Sequence, residues 1–356
     1  MTTMIYNRFW LKSSQVIRWR LRGLIRILPS RTASPEPTEK SGEARRQRVA
    51  YMFTGSYGDF VQILRPLHRL VAAYPHADVL LHGADRFARE FSTELPASLR
   101  IAPRLDPLRW ALDPVDLLFT NCVGVYRVRF DLAARFSARR AYGFRHSHET
   151  RRGGYAATIP LLPEVRSFAE ENMKVMDLAG VPSFFIPMRM GAGDSDQAAL
   201  ETLFPGEDVP EWGKGKILFH IGSAGLKKDF GHKVYTRMVL RILQRLEVER
   251  RPVEVVMGPG DEAIAAEVRN GTGYVPQVFP LARLIRILRS FQGTVLCYNS
   301  FPAHICQYLG HSAIVMHREA VPFGYDCAPL HRQVVLSAEK DWDLGEVWEA
   351  LHSEMN

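Results

Sequence analysis

The sequence is poor in cysteine and has no long apolar run. Its four cysteines show no C-x-x-C spacing, so the usual pattern of a cysteine zinc site or a redox pair is missing. They are Cys122, Cys297, Cys306 and Cys327. We expect them to be packing residues in a reducing compartment. No window reaches the roughly 20 uninterrupted apolar residues that a membrane span requires, so no segment is predicted to cross a bilayer.

The sequence also lacks a short internal repeat and a recognisable nucleic-acid-binding module. Its 356 residues are too many for one ordinary core, which predicts two domains of roughly 130 to 160 residues and a tail. The formal net charge of +8 is concentrated near the N-terminus and in a few arginine clusters. This charge favours an anionic partner, such as a phosphorylated lipid, a nucleotide or a membrane face, and no nucleic-acid partner is expected.

The composition of residues 1–48 predicts an N-terminal tail that consists of a basic amphipathic helix and a flexible linker. Residues 9–28 place apolar side chains on one helical stripe and basic side chains on another, which predicts an amphipathic helix suited to an anionic bilayer surface. A helix packed on the body of the protein and a disordered extension are the alternatives. The helix lacks a small-residue cleavage site, so its pattern is not that of a signal peptide. Residues 29–48 are polar and contain prolines, which predicts a flexible linker.

Strand-like and helix-like segments alternate after the tail, a pattern that predicts parallel α/β sheets. The predicted strands are 49–53, 79–82 and 115–120 in the first half, and 217–221, 253–257, 275–279, 294–297 and 313–316 in the second. A helix is predicted over 165–178. A strip rich in Gly, Asp and Pro separates the halves. We therefore predict an N-terminal domain over 49–190, a linker over 191–215 and a C-terminal domain over 216–356.

Functional residues are expected in the loops at the carboxyl ends of the strands, where open parallel sheets bind their ligands. Gly58-Asp59 follows the first strand of the first half and opens a helix. Gly222-Ser223-Ala224-Gly225 follows the first strand of the second half, with Lys228 shortly after it. Small residues let backbone amides approach a phosphate, and a lysine ammonium stabilises a leaving diphosphate. A loop whose lysines are simply solvated is the alternative.

Further motifs stand in a fixed order along the chain. They are Gly58-Asp59 before a helix with Pro66, His220-Ile221-Gly222-Ser223, Lys228-x-Phe230, Gly258-Pro259-Gly260-Asp261-Glu262, Asn299-Ser300-Phe301-Pro302-Ala303-His304 and Leu309-Gly310. The ordered set, from residue 49 to the region of residue 335, resembles glycosyltransferase family 9, the ADP-heptose:lipopolysaccharide heptosyltransferases. The resemblance implies a GT-B fold, in which two Rossmann-like domains with parallel sheets face a central cleft. It also implies that the first domain mainly holds the acceptor and the second mainly holds the nucleotide sugar.

The resemblance implies roles for individual residues, and it implies no metal and no cofactor. Asp59 matches the carboxylate that serves as general base toward the acceptor hydroxyl, although Gly-Asp before an apolar helix is also an N-cap pattern. Lys228 matches the lysine that holds the leaving diphosphate. The other donor-side positions are Gly222, Ser223, Asn299, Ser300 and His304, and Gly58 belongs to the acceptor side.

Some residues depart from the family pattern. Asn299 replaces an aspartate and Phe301 replaces a glycine, so the site keeps a hydrogen-bonding side chain without its charge, and the preferred sugar is expected to differ. The family's threonine near Asp59 is missing and Pro66 comes one residue later, which predicts a reshaped acceptor-side turn. A second hypothesis is therefore a catalytically inactive GT-B module that binds a nucleotide sugar or a polysaccharide at the membrane.

Two short patterns have the composition of metal sites. Asp194-Ser195-Asp196 spells Asp-x-Asp, but no strand precedes it, which favours a solvated cap before a helix. His146-Ser147-His148-Glu149 offers three potential metal ligands. The neighbouring Arg145, Arg151 and Arg152 favour a mobile basic loop near an anionic acceptor instead.

These interpretations together predict an inverting, metal-independent glycosyltransferase. It is expected to transfer a heptose or related sugar from a nucleotide diphosphate donor, with ADP-heptose first, to lipopolysaccharide or another anionic surface glycan. We expect it in the cytoplasm or peripherally on the cytoplasmic face of the inner membrane. A nucleotide-sugar epimerase has the same architecture, but its characteristic cluster of acidic residues and histidine is not evident in the sequence.

Overall fold

A computed structural model of the chain describes two compact units, Met1–Ile186 and Pro187–Asn356. The described residues are 46–92, 94–102, 114–122, 128–146, 154–161, 168–183, 213–222, 231–258, 262–317, 331–336 and 344–354. The predicted amphipathic helix over 9–28 lies outside them, as does the predicted linker over 191–215 up to residue 212. Among the helices of these residues, none is both long enough and apolar enough to span a membrane.

The first unit is built around a six-stranded parallel sheet. Its strands are β1 (Arg48–Met52), β2 (Asp78–His82), β3 (Arg100–Ala102), β4 (Val115–Thr120), β5 (Ala138–His146) and β6 (Ala157–Leu161). They lie in the order β3-β2-β1-β4-β5-β6, and each of these ladders is parallel. This is the strand order of a Rossmann fold, which reverses between β1 and β4.

Five described helices accompany the strands of the first unit, four of them between strands and the fifth after β6. They are α1 (Tyr57–Val61), α2 (Leu64–Ala73), α3 (Asp85–Glu90), α4 (Val128–Phe136) and α5 (Phe168–Leu178). A buried arginine on α2 joins two of them: the Arg69 guanidinium donates to the carbonyl oxygens of Val181 and Pro182 and pairs with Asp177 at 2.7 Å. Because carbonyls at and beyond a helix end have no helical partner, Arg69 fixes the chain that follows α5 to α2.

The second unit repeats this architecture with a different sequence. Its strands are β7 (Ile217–His220), β8 (Val253–Met257), β9 (Gln277–Val278), β10 (Thr294–Tyr298), β11 (Ala313–His317) and β12 (His331–Val335). They lie in the order β12-β11-β10-β7-β8-β9, again with parallel ladders. Counted from β7, this is the same Rossmann order, and it reverses between β7 and β10.

Five described helices accompany the second sheet. They are α6 (His232–Val248), α7 (Glu262–Thr272), α8 (Leu281–Ser290), α9 (Phe301–Leu309) and α10 (Gly345–Glu354). The longest, α6, buries Tyr235, Met238, Val239, Ile242 and Leu246, whose spacing places them on one face. This face packs in a single core with the apolar residues of the central strands, among them Phe219 and Tyr298.

The prediction of two parallel α/β domains is confirmed. The strands predicted over 115–120 and 253–257 coincide with β4 and β8, and most others differ by one residue at an end. The strand predicted over 275–279 is shorter, because only Gln277–Val278 pairs with its neighbour. Four of the described strands, β3, β5, β6 and β12, were not predicted from the hydrophobic pattern.

Candidate functional site

The two Rossmann-like units have one switch point each, between β1 and β4 and between β7 and β10. Ligands of open α/β sheets bind outside the carboxyl ends of the strands at such a point. Gly58 and Asp59 lie in α1, the helix that follows β1, and Gly222 lies two residues after the end of β7. Asn299, Ser300 and His304 follow β10. The described site residues predicted from the sequence, apart from Arg145, thus lie at the switch point of their own unit.

Asp59 is held in the first turn of α1 by hydrogen bonds from Ser56. Ser56 is the N-cap of α1 and Asp59 is its third residue. The Ser56 backbone N–H and hydroxyl donate to Asp59 Oδ2 at 2.6 and 2.8 Å. This is a capping box, in which an acidic residue at the third helical position reaches back to the N-cap. The alternative interpretation of Asp59 as the N-cap itself is therefore wrong.

Gly55 makes room for the Asp59 carboxyl group. Its φ of +145° lies in a region that residues with a side chain rarely adopt. A Cβ added to Gly55 would stand 2.5 Å from Asp59 Cβ and 2.6 Å from Asp59 Oδ2. Glycine is thus required twice over, by the backbone conformation and by the close approach of the carboxyl group.

The environment of Asp59 changes its acidity. Its relative exposure is 8%, and this burial raises the pKa of the carboxyl group above its ordinary value. The hydrogen bonds from Ser56 act in the opposite direction and lower the pKa, but the effect of burial is larger. A carboxylate with a raised pKa is a stronger base than an exposed one. A general base has to accept a proton, and a more basic carboxylate accepts it more readily.

Asn121, which was not predicted from the sequence, holds the loop between β1 and α1. It is buried directly after β4, across the switch point from Asp59. Its Oδ1 accepts the Thr54 N–H at 3.2 Å, and its Nδ2 donates to the Thr54 carbonyl at 2.8 Å. These two bonds continue the β1–β4 pairing by one residue through a side chain. A signal was present in the sequence, because an asparagine directly follows the strand predicted over 115–120.

Arg145 lies at a different place from the one predicted. It belongs to β5, where it pairs with Pro160 of β6, and is not part of a loop. The last residue of β5 that pairs with β4 is Tyr142, so Arg145 lies beyond the end of that ladder in the carboxyl direction. The rest of the predicted basic loop, including residues 151 and 152, lies outside the described residues.

In the second unit, a buried histidine shapes the turn after β7. His220 Nδ1 accepts the backbone N–H of Gly222 at 3.3 Å. Burial lowers the pKa of His220 to about 4, so the ring is neutral at pH 7 and Nδ1 keeps the lone pair that this bond needs. His220 therefore fixes the start of the glycine loop. Ser223 and Lys228, predicted to complete that loop, lie outside the described residues.

The residues after β10 form the start of α9. Asn299 donates its backbone N–H to the Met316 carbonyl at 2.9 Å, while its side-chain Oδ1 is buried and has no hydrogen-bond donor among the described residues. Ser300 is the N-cap of α9, and its hydroxyl donates to the Tyr298 carbonyl at 3.1 Å. His304 is buried in the first turns of the helix. The N-terminus of α9 thus lies at the switch point, where its partial positive charge favours an anion.

Within the described ranges, no group of three or more His, Cys, Asp or Glu side chains could hold a metal ion. Asp194-Ser195-Asp196 and residues 147–149 of the histidine pattern lie outside those ranges.

Solved structures of known proteins share the fold of this chain. No protein-family model and no curated protein matches the sequence. Among solved structures, a glycosyl transferase family 9 protein from Veillonella parvula is 16% identical and aligns over 85% of this chain and 89% of its own, with a TM-score of 0.58. Heptosyltransferase WaaC of E. coli, solved with ADP-2-deoxy-2-fluoro heptose, is 15% identical and aligns over 86% and 99%, with a TM-score of 0.55.

The same fold also occurs in an enzyme of another class. The UDP-GlcNAc 2-epimerase from Methanocaldococcus jannaschii is 8% identical and aligns over 87% of this chain and 93% of its own, with a TM-score of 0.52. The chain therefore has the GT-B fold of two Rossmann-like domains. Its fold is that of the family 9 glycosyltransferases and heptosyltransferases, as the sequence motifs predicted. Because one fold carries several activities, the activity has to be argued from the residues.

Proposed function

We propose that this chain is an inverting glycosyltransferase that transfers a heptose or related sugar from a nucleotide diphosphate to lipopolysaccharide or another surface glycan. The observation that carries the proposal is Asp59, a buried carboxylate at the β1–β4 switch point of a fold shared with heptosyltransferases. The ADP-heptose analogue in the WaaC structure supports a nucleotide-sugar donor, with ADP-heptose as the first candidate.

In the proposed reaction, Asp59 accepts the proton of the acceptor hydroxyl as that oxygen attacks the anomeric carbon of the donor. The new carbon–oxygen bond forms while the bond to the phosphate oxygen breaks, and a single displacement inverts the configuration. The leaving diphosphate carries the negative charge that develops. Backbone amides after β7, the N-terminus of α9 and Lys228 are the groups proposed to stabilise it, without a metal ion.

Each of the remaining residues has a proposed role in binding either the donor or the acceptor. Gly222, Ser223, Asn299, Ser300 and His304 bind the donor, and Gly58 and Arg145 act on the acceptor side. Asn299 is an amide where the family has a carboxylate, and it offers its buried Oδ1 as an acceptor for a sugar hydroxyl. The basic helix predicted over 9–28 is proposed to hold the protein at the cytoplasmic face of the inner membrane.

Thermal unfolding with a panel of nucleotides, followed by a transfer assay, tests this function. A ligand that binds only the folded state stabilises it by about 2.7 kcal/mol at 100 times its Kd, so ADP should raise the Tm more than GDP or UDP. Transfer is then measured from the matching sugar nucleotides to a lipopolysaccharide core. Failure of every nucleotide to raise the Tm would reject the proposal. Protection without transfer would favour the inactive module, and epimerised UDP-GlcNAc would indicate an epimerase.

A further inference from the structure

The guanidinium group of Arg86 lies over two aromatic rings at the carboxyl edge of the first sheet. Its Cζ is 4.5 Å from the centroid of the Phe87 ring and 5.2 Å from that of the Tyr57 ring. Both distances are within the range in which a cation is attracted to the face of an aromatic ring. Arg86 itself is exposed. An exposed arginine held by two rings loses less freedom on binding a ligand than one that extends into solvent.

The rings beneath Arg86 are fixed by a buried cluster. Phe87 stacks on Phe60 at 5.3 Å and meets Phe53 edge to face at 5.2 Å, and all three rings are buried. Tyr57 meets Phe87 edge to face at 4.9 Å, and its hydroxyl donates to Glu90 Oε1 at 2.6 Å. The platform is thus anchored in the core on one side and by a hydrogen bond on the other.

This platform lies at the same edge of the sheet as Asp59. Tyr57 and Asp59 are the first and third residues of α1, within one helical turn of about 5.4 Å pitch. Arg86 follows β2, the neighbour of β1 in the sheet. The two loops meet closely, because Phe53 N–H donates to the His82 carbonyl at 2.9 Å. A Cβ on Gly83 would stand 2.6 Å from the Phe53 carbonyl oxygen.

Among the described residues, no acidic side chain accepts from the hydrogen-bond donors of Arg86. Within the described part of the chain, no ion pair joins Arg86 to a carboxylate, and the nearby Glu90 accepts the Tyr57 hydroxyl instead. The guanidinium is planar, with its N–H groups in the plane of the fork, and that geometry matches the two oxygens of a phosphate or a carboxylate. A cation held in place, with donors that no described carboxylate uses, is suited to binding an anion.

We propose that Arg86, held on Tyr57 and Phe87, binds an anionic group of the acceptor glycan, a phosphate monoester or a sugar carboxylate. Arg86 would then be a specificity residue, which orients the acceptor whose hydroxyl approaches Asp59. The inference rests on the proposed function for the identity of the glycan. Its test is a binding measurement without a donor, so its outcome is separate from that of the transfer assay.

The test is calorimetric binding of deacylated lipopolysaccharide core oligosaccharide to the full chain and three variants. Arg86→Gln should weaken binding about tenfold, the size expected for losing a charge-assisted hydrogen bond, and Arg86→Lys should recover part of it. Arg89→Gln is the matched control, since Arg89 is exposed on the same helix and contacts neither ring. It should bind like the native chain. Both positions are on the surface, so the Tm should change little.

Two treated oligosaccharides identify the anionic group. One is dephosphorylated with phosphatase and the other has its carboxyl groups reduced. The native chain should bind one of them about tenfold more weakly than it binds the untreated oligosaccharide. Arg86→Gln should not distinguish that treated sample from the untreated one. Equal binding of the untreated oligosaccharide by native chain and Arg86→Gln would overturn the proposal. An equal loss in Arg89→Gln, or no binding by the native chain, would overturn it as well.

Discussion

Asp59 serves two purposes with one carboxyl group. Through Oδ2 it closes the capping box with Ser56, which begins α1, and through its burial it keeps a raised pKa. The first purpose fixes the position of the group and the second makes it more basic. Positional precision matters for a base, because proton transfer needs a heavy-atom distance of about 2.6 to 3.2 Å.

Replacing Gly55 with alanine should therefore disturb Asp59. The variant forces a side chain into a glycine conformation and places its Cβ against the Asp59 carboxyl group. We expect a loss of stability of about 1–3 kcal/mol and a fall in turnover of about a hundredfold, as is typical for a displacement of about 1 Å at a reacting group. Chemical unfolding and steady-state transfer rates measure the two effects.

Gly180→Ala is the control for Gly55→Ala. Gly180 has a φ of +69°, but a Cβ there would meet nothing within 4 Å. The alanine should cost about 1–2 kcal/mol of stability from the backbone alone and leave turnover unchanged. If both variants lose turnover equally, the contact between Gly55 and Asp59 has no role in activity.

Among the secondary-structure elements, the central strands were predictable and the outer ones were not. The strands β4 and β8 are largely apolar, with one acidic residue each, because both faces of the sheet are covered by helices. By contrast, β3, β6 and β12 are edge strands of the described sheets. Edge strands tolerate polar residues and proline, such as Pro160 in β6. The inner strand β5 was missed because its arginines, including the exposed Arg139 and Arg140, interrupt the apolar pattern.

The candidate site was predictable where a motif follows a central strand. Gly58, Asp59, Gly222 and the residues after β10 were found in this way, because a switch point brings the ends of two known strands together. Asn121 was missed since its role is a pair of hydrogen bonds to the backbone of Thr54, 67 residues away in sequence. The position of Asn121 after a predicted strand is visible in the sequence, but the pattern does not show which distant backbone groups its side chain binds.

Asn121→Ala should loosen the loop between β1 and α1. The variant leaves a buried N–H and carbonyl of Thr54 without their partner, which should cost about 1–3 kcal/mol in the free energy of unfolding. Turnover should fall as well, because the loop positions Asp59. Asn172→Ala is the control: its side chain is equally buried, but it accepts the N–H of Cys122 and the hydroxyl of Tyr51 in β1, and no bond from this loop. A larger loss of turnover in Asn172→Ala would contradict the assignment.

His220 should make stability depend on pH. Its pKa is about 4 in the folded protein and about 6.5 when unfolded, so only the unfolded chain binds a proton between these values. Stability should therefore fall as the pH drops from 6.5 to 4, by roughly 3 kcal/mol at about 1.36 kcal/mol per pKa unit. Urea unfolding at several pH values measures this slope. His220→Asn keeps an acceptor for Gly222 N–H but does not titrate, so it should lack this part of the slope; an unchanged slope would refute the assignment.

At the scale of the whole molecule, one topology occurs twice without a sequence repeat. Both units have the strand order of a Rossmann fold, although their switch-point residues differ: a carboxylate and an amide in the first, and small residues with a helix N-terminus in the second. The topology follows from the alternation of strands and helices and the right-handed crossover between parallel strands. The chemistry follows from the loops, which are free to differ because they lie outside the sheet.

The central claim is that Asp59 is the base of a sugar transfer, and one comparison tests it most directly. Transfer from ADP-heptose to a lipopolysaccharide core is measured for the native chain and Asp59→Asn, with ADP-induced thermal protection measured on the same preparations. Asparagine keeps an acceptor for the Ser56 hydrogen bonds but cannot take the proton. The account predicts that transfer falls about 10² to 10⁴-fold while the protection by ADP is unchanged. Transfer at the native rate by Asp59→Asn would contradict it.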